Sequence, residues 1–104
     1  MNTKNKISAK NAIRKITGPI SFGDMICALR MSKEYSQVTM AEILGISKQE
    51  LCNIEKGRKM VSVERAKNFA LTLKMSPKVF AKYALQDQLN LAGIKGIVEI
   101  LNVA

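Results

Sequence analysis

The chain has no histidine and no tryptophan, and it has only two cysteines among its 104 residues. Two cysteines far apart in sequence, without a histidine, are a poor donor set for a structural metal site, which usually needs four such ligands. The lack of histidine also removes the commonest acid–base group, and neither paired carboxylates nor a glycine-rich phosphate loop is present. The sequence therefore predicts no enzyme, no metal site and no other cofactor.

Long apolar runs are absent as well. No stretch of about eighteen apolar residues could cross a bilayer, and the start of the chain lacks the apolar core of a secretory signal. We therefore expect a cytoplasmic protein with no membrane partner, in which a disulfide is not expected. At this length the chain holds one small domain and at most one additional arm.

Acidic residues are scarce, with eight against seventeen basic residues and a net charge of +9. Such an excess favours a polyanionic partner. The first twenty residues contain five basic residues and no acid, whereas residues 84–104 contain only Lys95 against Asp87 and Glu99. The basic end is thus a candidate for contact with nucleic acid, and the C-terminus for an apolar contact.

Residues 36–58 are the most informative stretch, and they predict two short helices joined by a tight turn. Ser36 is placed to cap the first helix, whose inward stripe is Met40, Ala41 and Leu44. Ala41 is small, so that a second helix can cross close to it. Gly45 then supplies the positive φ that ends the first helix and turns the chain.

The second helix begins at a Ser47–Glu50 capping box and turns Leu51 and Ile54 inwards. Its outer face is polar and consists of Lys48, Gln49, Cys52, Asn53 and Lys56. Lysine and amide side chains held on a rigid helix suit the edges of bases in the major groove. The two helices therefore predict a helix-turn-helix that reads double-stranded DNA, rather than single-stranded RNA, for which stacking aromatic residues are missing.

The flanking sequence completes an all-α domain of five helices. Serines precede three further helices, at Ser21 (with Asp24 in a capping-box position), at Ser62, and at Ser76 before Pro77. The expected inward residues of these helices are Phe22, Met25, Ile26 and Leu29; Val63, Ala66, Phe69, Ala70 and Leu73; and Val79, Phe80, Tyr83 and Ala84. Cys27 is expected as a small core residue.

This pattern resembles the Cro/cI-type (XRE) helix-turn-helix family over residues 22–85. The shared features are Gln37, the Ala41/Gly45/Leu51 spacing, and Ile54-Glu55-x-Gly57-Arg58. The resemblance implies that Arg30 and Glu55 form an ion pair. It also implies base contacts for Lys48, Gln49 and Asn53, and phosphate contacts for Gln37, Lys56 and Arg58.

Three residues beside these positions extend the predicted interface. Ser47 and Lys59 join the phosphate-contacting set, and Cys52 joins the base-reading set. Cys52 borders the recognition face, where it either touches a thymine methyl group or fills space between the helices.

The C-terminal segment, residues 91–104, is apolar on nearly every side. Gly93 and Gly96 interrupt a helical pattern, and the β-branched run from Ile97 to Val103 favours a short strand, with a helix as the alternative. A second copy of the chain would cover this surface, which predicts a homodimer; alternatively the segment folds back on its own helices. The predicted dimerisation residues are Ile97, Val98, Ile100, Leu101 and Val103.

The N-terminal arm, residues 1–20, precedes the DNA-binding domain at 21–90. Ser8 could cap a short helix that Gly18-Pro19 would end. Once the arm is helical, Ile7, Ala12, Ile13 and Ile16 would form one apolar stripe. A helix of this length is marginal alone, so that the arm is expected to order only on a partner. It binds a protein, lies along DNA phosphates, or remains a solvated basic tail.

In size and architecture the chain is similar to HigA-type antitoxins of bacterial toxin–antitoxin modules. That similarity implies repression of its own operon and, through another segment, binding of a small toxin that cleaves mRNA. Two features depart from the pattern: the arm is basic rather than acidic, and it precedes the DNA-binding domain. The alternative is a stand-alone phage-like or bacterial XRE repressor without a toxin partner.

Overall fold

The computed structural model describes residues 20–101, and in this range the chain forms five α-helices. They are α1 (Phe22–Ser32), α2 (Gln37–Leu44), α3 (Lys48–Glu55), α4 (Val63–Thr72) and α5 (Pro77–Leu91). The all-α, five-helix prediction is confirmed. No helix within residues 20–101 has the length and apolar character needed to cross a membrane.

A serine immediately precedes each of the five helices in residues 20–101. The hydroxyl oxygens of Ser21, Ser36, Ser47, Ser62 and Ser76 each accept a hydrogen bond from the backbone N–H three residues later. Such a cap satisfies a backbone donor that has no partner within the helix. In α5 the cap is followed by Pro77, which lacks the N–H that the first turn leaves unpaired. Local sequence therefore fixes all five starting points.

The core lies where the five helices meet, and Phe22 is central to it. Its ring packs edge-on against Phe80 at 5.9 Å and tilted against Phe69 at 6.5 Å between centroids. The buried apolar residues come from all five helices and from the two connections that flank α4: Phe22, Ile26, Met40, Ala41, Leu51, Ile54, Val61, Ala66, Phe69, Ala70, Leu73, Phe80 and Ala84. Met25, Leu29, Leu44, Val63 and Tyr83 pack against this core while remaining partly exposed.

Helix α1 is held by two contacts that no local pattern indicates. Gly23 is buried against the end of α3, where an added Cβ would lie 2.2 Å from the carbonyl oxygen of Ile54. The Asp87 carboxylate of α5 accepts the backbone N–H of Phe22, at 3.2 Å to Oδ1 and 3.3 Å to Oδ2. Burial raises the pKa of Asp87, an effect that the bond from Phe22 partly offsets and that nearby Asp24 reinforces.

Sequence predictions at one core position and at the starts of two helices need correction. Val79 is exposed rather than inward, because it lies on the side of α5 that borders the C-terminal segment near Ile100 and Leu101, not on the side facing the core. The capping boxes of α1 and α3 are only half made. Ser21 and Ser47 accept the expected backbone bonds, but the carboxylate of Glu50 is engaged by Lys59 and Arg65 instead.

The C-terminal segment forms neither the favoured strand nor the alternative helix over residues 94–101. A strand needs a neighbouring strand for its backbone groups, and no strand exists within residues 20–101. Instead the side chain of Gln86 holds the segment beside α5. Residues 102–104 lie outside the described range.

Candidate nucleic-acid interface

The turn between α2 and α3 sets the direction of α3, the helix that is predicted to read bases. Gly45 has φ 71° and ψ 31°, a left-handed conformation that a residue with a side chain rarely adopts. The backbone N–H of Ile46 returns to the carbonyl of Ala41 at 3.0 Å, closing the end of α2. Buried Leu51 and Ile54 then seat α3 in the core. The opposite face of α3 is thereby fixed towards solvent.

That face presents the residues predicted to read bases. Lys48 and Gln49 are exposed, and Cys52 and Asn53 are half-buried beside them. The side-chain Nε2 of Gln49 donates to Oδ1 of Asn53 at 3.2 Å, one helical turn away. Each amide keeps a further donor and acceptor, so that the pair can offer a planar array of hydrogen-bonding groups to a base edge.

The two cysteines occupy different surroundings. Cys52 lies at the edge of the α3 face, a position compatible with either of its two predicted roles. Cys27 is half-buried rather than part of the inner core, with its sulfur 3.8 Å from Nη2 of Arg30 and 3.9 Å from the sulfur of Met31. Burial, reinforced by the charge of Glu55, raises the pKa of the Cys27 thiol. Such a shift disfavours the thiolate, which is the reactive form of cysteine.

Arg30 and Glu55 form an ion pair beneath the interface. The guanidinium Nε lies 2.8 Å from Oε2 of Glu55, and Nη2 lies 3.1 Å from Oε1. Arg30 Nη1 also donates to the carbonyl of Tyr35 at 2.9 Å, and the Glu55 side chain is only 5% exposed. The bond to Glu55 raises the pKa of Arg30. The pair therefore ties α1 and the loop before α2 to the end of α3.

Gln37, the first residue of α2, also bonds to Glu55 of the ion pair. Its Nε2 donates to Oε1 of Glu55 at 3.1 Å. In the free protein one amide N–H is therefore directed inwards, and the second N–H remains for a phosphate. This contact fixes the side chain of a predicted phosphate-contacting residue against the recognition helix.

A second charged cluster, which the sequence did not indicate, joins α3 to α4. Arg65 donates through both Nη atoms to the Glu50 carboxylate, at 2.8 and 2.9 Å, and Lys59 bonds to the same group. These bonds, with Arg65 contributing most, lower the pKa of Glu50 to about 2. The Arg65 guanidinium also lies 5.3 Å from the centre of the Phe69 ring. Lys59, a predicted phosphate-contacting residue, is thus paired within the free protein.

The remaining predicted phosphate contacts flank α3. Ser47 is exposed at its N-terminus, and Lys56 and Arg58 are exposed just after its C-terminus. Within residues 20–101 neither Lys56 nor Arg58 has a salt-bridge partner. The backbone N–H of Arg58 is fixed by the carbonyl of Asn53 at 2.8 Å. These cations project from a rigid base beside the recognition face.

The predicted sites outside α2 and α3 are only partly described. Ile7, Ala12, Ile13 and Ile16 of the arm, together with Val103, lie outside residues 20–101. Ile97, Ile100 and Leu101 are exposed and Val98 is half-buried. The structure therefore places four of the five predicted dimerisation residues along one surface segment beside α5.

Comparison with known families agrees with this geometry. The family model for Helix-turn-helix (HTH_3) matches residues 28–80, just over half of the chain, and its range spans α2 and α3 completely. Neither curated proteins nor solved structures gave a significant match. The chain therefore belongs to the Cro/cI-type helix-turn-helix family and is a sequence-specific DNA-binding transcription regulator.

Proposed function

We propose that α3 reads operator bases through Lys48, Gln49, Cys52 and Asn53. The observation that carries this proposal is the Gln49–Asn53 amide pair on the exposed face of a helix whose opposite face is buried. An amide can bind adenine through two hydrogen bonds. Gln37, Ser47, Lys56, Arg58 and Lys59 surround this face and are assigned to phosphates. An operator-binding protein of this kind acts in the bacterial cytoplasm.

The test of base reading is a comparison of operator duplex with scrambled duplex. Gln49→Ala is expected to lose about 1–3 kcal/mol of binding free energy at one operator position and almost none on scrambled DNA. Gel-shift titration of both duplexes measures the difference. Glu42→Ala, an exposed change on α2, is the matched control. If Gln49→Ala leaves discrimination intact, Gln49 does not read a base.

We infer further that the regulator is a homodimer joined through the C-terminal segment. One recognition helix reads only a few base pairs, and dimers place two such helices about 34 Å apart on one face of the duplex. Within residues 20–101 the most exposed large apolar side chains lie in this segment, at Leu91, Ile97 and Leu101. A second copy of the chain packed against these side chains would remove this apolar surface from water.

Charge placed in this segment tests the dimer. Ile100→Asp with Leu101→Asp should yield a monomer of unchanged helical content whose operator affinity is much reduced. Light scattering gives the mass and circular dichroism the helical content. Leu71→Asp, at an exposed apolar position on α4, is the control. A dimer that survives both tail substitutions would place the two-fold contact elsewhere, with α5 as the next candidate.

The biological role that we propose is that of an antitoxin which represses its own operon and neutralises a small mRNA-cleaving toxin through residues 1–20. The arm supports this through its apolar stripe of Ile7, Ala12, Ile13 and Ile16, which burial against a toxin would order at a gross gain of about 5–8 kcal/mol. Part of that gain is lost to ordering the arm. Its five positive charges would steer it towards an acidic rim.

Deleting residues 1–20 separates this role from that of a stand-alone repressor. The truncated protein should bind operator normally and fail to bind the product of a neighbouring toxin gene in calorimetry. Ile13→Asp with Ile16→Asp should have the same effect at unchanged length. Full-affinity binding by the truncated protein would exclude the arm as the neutralising element. Loss of operator binding on truncation would instead assign the basic arm to DNA and favour the stand-alone repressor.

A further inference from the structure

Gln86 is a buried polar residue of α5, with 3% of its surface exposed. Its Nε2 donates to the carbonyl of Gly96 at 2.8 Å, and its Oε1 accepts the backbone N–H of Val98 at 2.8 Å. Nε2 also bonds to Oδ1 of Asn90 at 3.2 Å. A buried amide whose groups are all used in this way is a specific anchor for the C-terminal segment.

The two backbone bonds indicate an extended chain over residues 96–98, with one edge occupied. In an extended strand the polar groups of residues two apart point to the same edge, and those of the residues between them point to the other. Gly96 and Val98 therefore face Gln86, while Ile97 and Glu99 direct their N–H and C=O groups away from it. Within residues 20–101 no protein group accepts the N–H of Ile97 or Glu99. This side is an open strand edge, which is a template for pairing with another strand.

Side chains alternate between the two faces of an extended chain, just as backbone groups alternate between its two edges. Lys95, Ile97, Glu99 and Leu101 alternate with Val98 and Ile100 and so share one face of the extended chain. Ile97 and Leu101 are 73% and 77% exposed, whereas Ile100 is 38% exposed and Val98 is half-buried. Glu99, Ile100 and Leu101 all border the hollow beside α5 that is lined by Lys78, Val79 and Lys82. The open edge thus carries exposed Ile97 between two exposed charged residues, Lys95 and Glu99.

We propose that this open edge pairs antiparallel with the same edge of a second copy, with the two-fold axis at Ile97. Lys95 and Glu99 lie two residues before and after Ile97, so that this register places each Lys95 opposite Glu99 of the second copy. Neither residue has a salt-bridge partner within residues 20–101. The two isoleucines meet at the centre between the two ion pairs.

The charge pattern favours a second copy over an unrelated partner because it is self-complementary about one residue. Sliding the same edges by two residues would place Lys95 opposite Leu101 and break both ion pairs. Gln86 is a positioning residue for this pairing, since it holds the segment extended and presents its free edge. This inference rests on the proposed dimerisation through the C-terminal segment and specifies its register.

Charge exchange tests the register. Lys95→Glu or Glu99→Lys alone puts two like-charged pairs in the dimer and should weaken dimerisation about tenfold, because opposite residues on paired strands interact directly. The double variant Lys95→Glu/Glu99→Lys should restore it. Sedimentation equilibrium gives the dissociation constants. A double variant as weak as the single ones would overturn the register.

Cysteine cross-linking gives an independent measurement. Under mild oxidation Ile97→Cys should form a disulfide dimer, since opposed residues lie about 5.5 Å apart at Cα. Leu101→Cys is the matched control, because in this register the two copies of residue 101 are roughly 27 Å apart at about 3.4 Å per residue. The chain without either substitution shows how much cross-linking arises from Cys27 and Cys52. Faster linkage through residue 101 than through residue 97 would overturn the proposal.

Gln86→Met tests the anchor, since it keeps the length of the side chain and removes both bonds to the segment. We expect faster amide hydrogen exchange at Val98, dimerisation weakened about tenfold and unchanged helical content. Wild-type dimerisation in this variant would exclude the anchoring role. If the tail dimer itself is wrong, Ile100→Asp with Leu101→Asp leaves the dimer intact. If only the register is wrong, those substitutions disrupt the dimer while charge exchange has no effect.

Discussion

At the scale of single residues, Glu50 connects three parts of the interface through one carboxylate. It lies in the first turn of α3, accepts both Nη atoms of Arg65 from α4, and bonds to Lys59 from the loop between them. A carboxylate near a helix N-terminus is also favoured by the helix dipole. The ionised form of Glu50 is therefore stabilised by folding, which makes stability depend on pH.

We expect the stability that ionised Glu50 contributes to decline in acid. The pKa of Glu50 falls from 4.5 in the unfolded chain to about 2 in the folded protein, so that the unfolded state takes up a proton more readily. The stability from this cluster is fully present above pH 4.5 and is lost as the pH falls towards about 2. Glu50→Gln should therefore destabilise the protein at neutral pH and show a declining difference from wild type in acid, measured by urea unfolding.

Asp87→Asn is the control with the opposite sign. Burial raises the pKa of Asp87 from 3.8, so that the folded state takes up a proton more readily than the unfolded chain. Stability linked to Asp87 therefore increases as the pH falls through that raised pKa. As the pH falls, the stability of wild type should therefore rise relative to that of Asp87→Asn, which is the opposite of the trend for Glu50→Gln. A Glu50→Gln difference that does not change between neutral pH and pH 2 would show that the Arg65 and Lys59 contacts do not hold in solution.

Gly23 is a second residue with a consequence for stability. Gly23→Ala places a methyl group 2.2 Å from the backbone oxygen of Ile54, and α1 and α3 must separate to admit it. We expect a loss of about 2–4 kcal/mol in unfolding free energy. Gly96→Ala is the control, since an added Cβ there meets nothing within 4 Å. Equal urea midpoints for the two variants would contradict the close contact of the helices.

At the scale of an element, the start of α3 combines a stability role with a binding role. Ser47 Oγ accepts the backbone N–H of Glu50 at 3.0 Å, and Ser47 is exposed on the side of α3 that is proposed to face DNA. Ser47→Ala removes the cap and should cost about 1 kcal/mol of stability. Ser47→Asp keeps a capping oxygen but places a negative charge where a phosphate is proposed to bind.

The two Ser47 variants should therefore separate the two roles. We expect Ser47→Asp to unfold at nearly the wild-type urea concentration and to bind operator and scrambled DNA much more weakly. Ser47→Ala should show the reverse order, with lower stability and a smaller loss of binding. If Ser47→Asp binds DNA as tightly as wild type, the N-terminus of α3 does not approach a phosphate.

At the scale of the whole molecule, the net charge of +9 makes DNA binding dependent on salt. Each neutralised phosphate contributes about −0.9 to the slope of log affinity against log salt concentration. In a dimer one substitution removes two contacts, so that Arg58→Gln should reduce the slope by about 1.8 on operator and scrambled DNA alike. Gln49→Ala should leave the slope unchanged. A reduction of only about 0.9 for Arg58→Gln would indicate that one subunit contacts DNA at a time.

The amino-acid sequence alone determined the helices and the direction of the recognition face. Serine caps, Gly45 and the spacing of apolar residues act within a few positions of one another, so that local rules located all five helices and the burial of Leu51 and Ile54. The same locality explains why Lys48 and Gln49 were expected on the exposed side of α3. These features do not depend on residues far away in the sequence.

Tertiary structure alone decided the contacts between residues far apart in sequence. The bond from Phe22 to Asp87, the approach of Gly23 to Ile54, and the attachment of Arg65 to Glu50 depend on where whole helices come to rest. The conformation of the C-terminal segment likewise depends on residues outside the segment. Its β-branched composition favoured a strand, but pairing requires a second strand that residues 20–101 do not supply, and Gln86 satisfies one edge in its place.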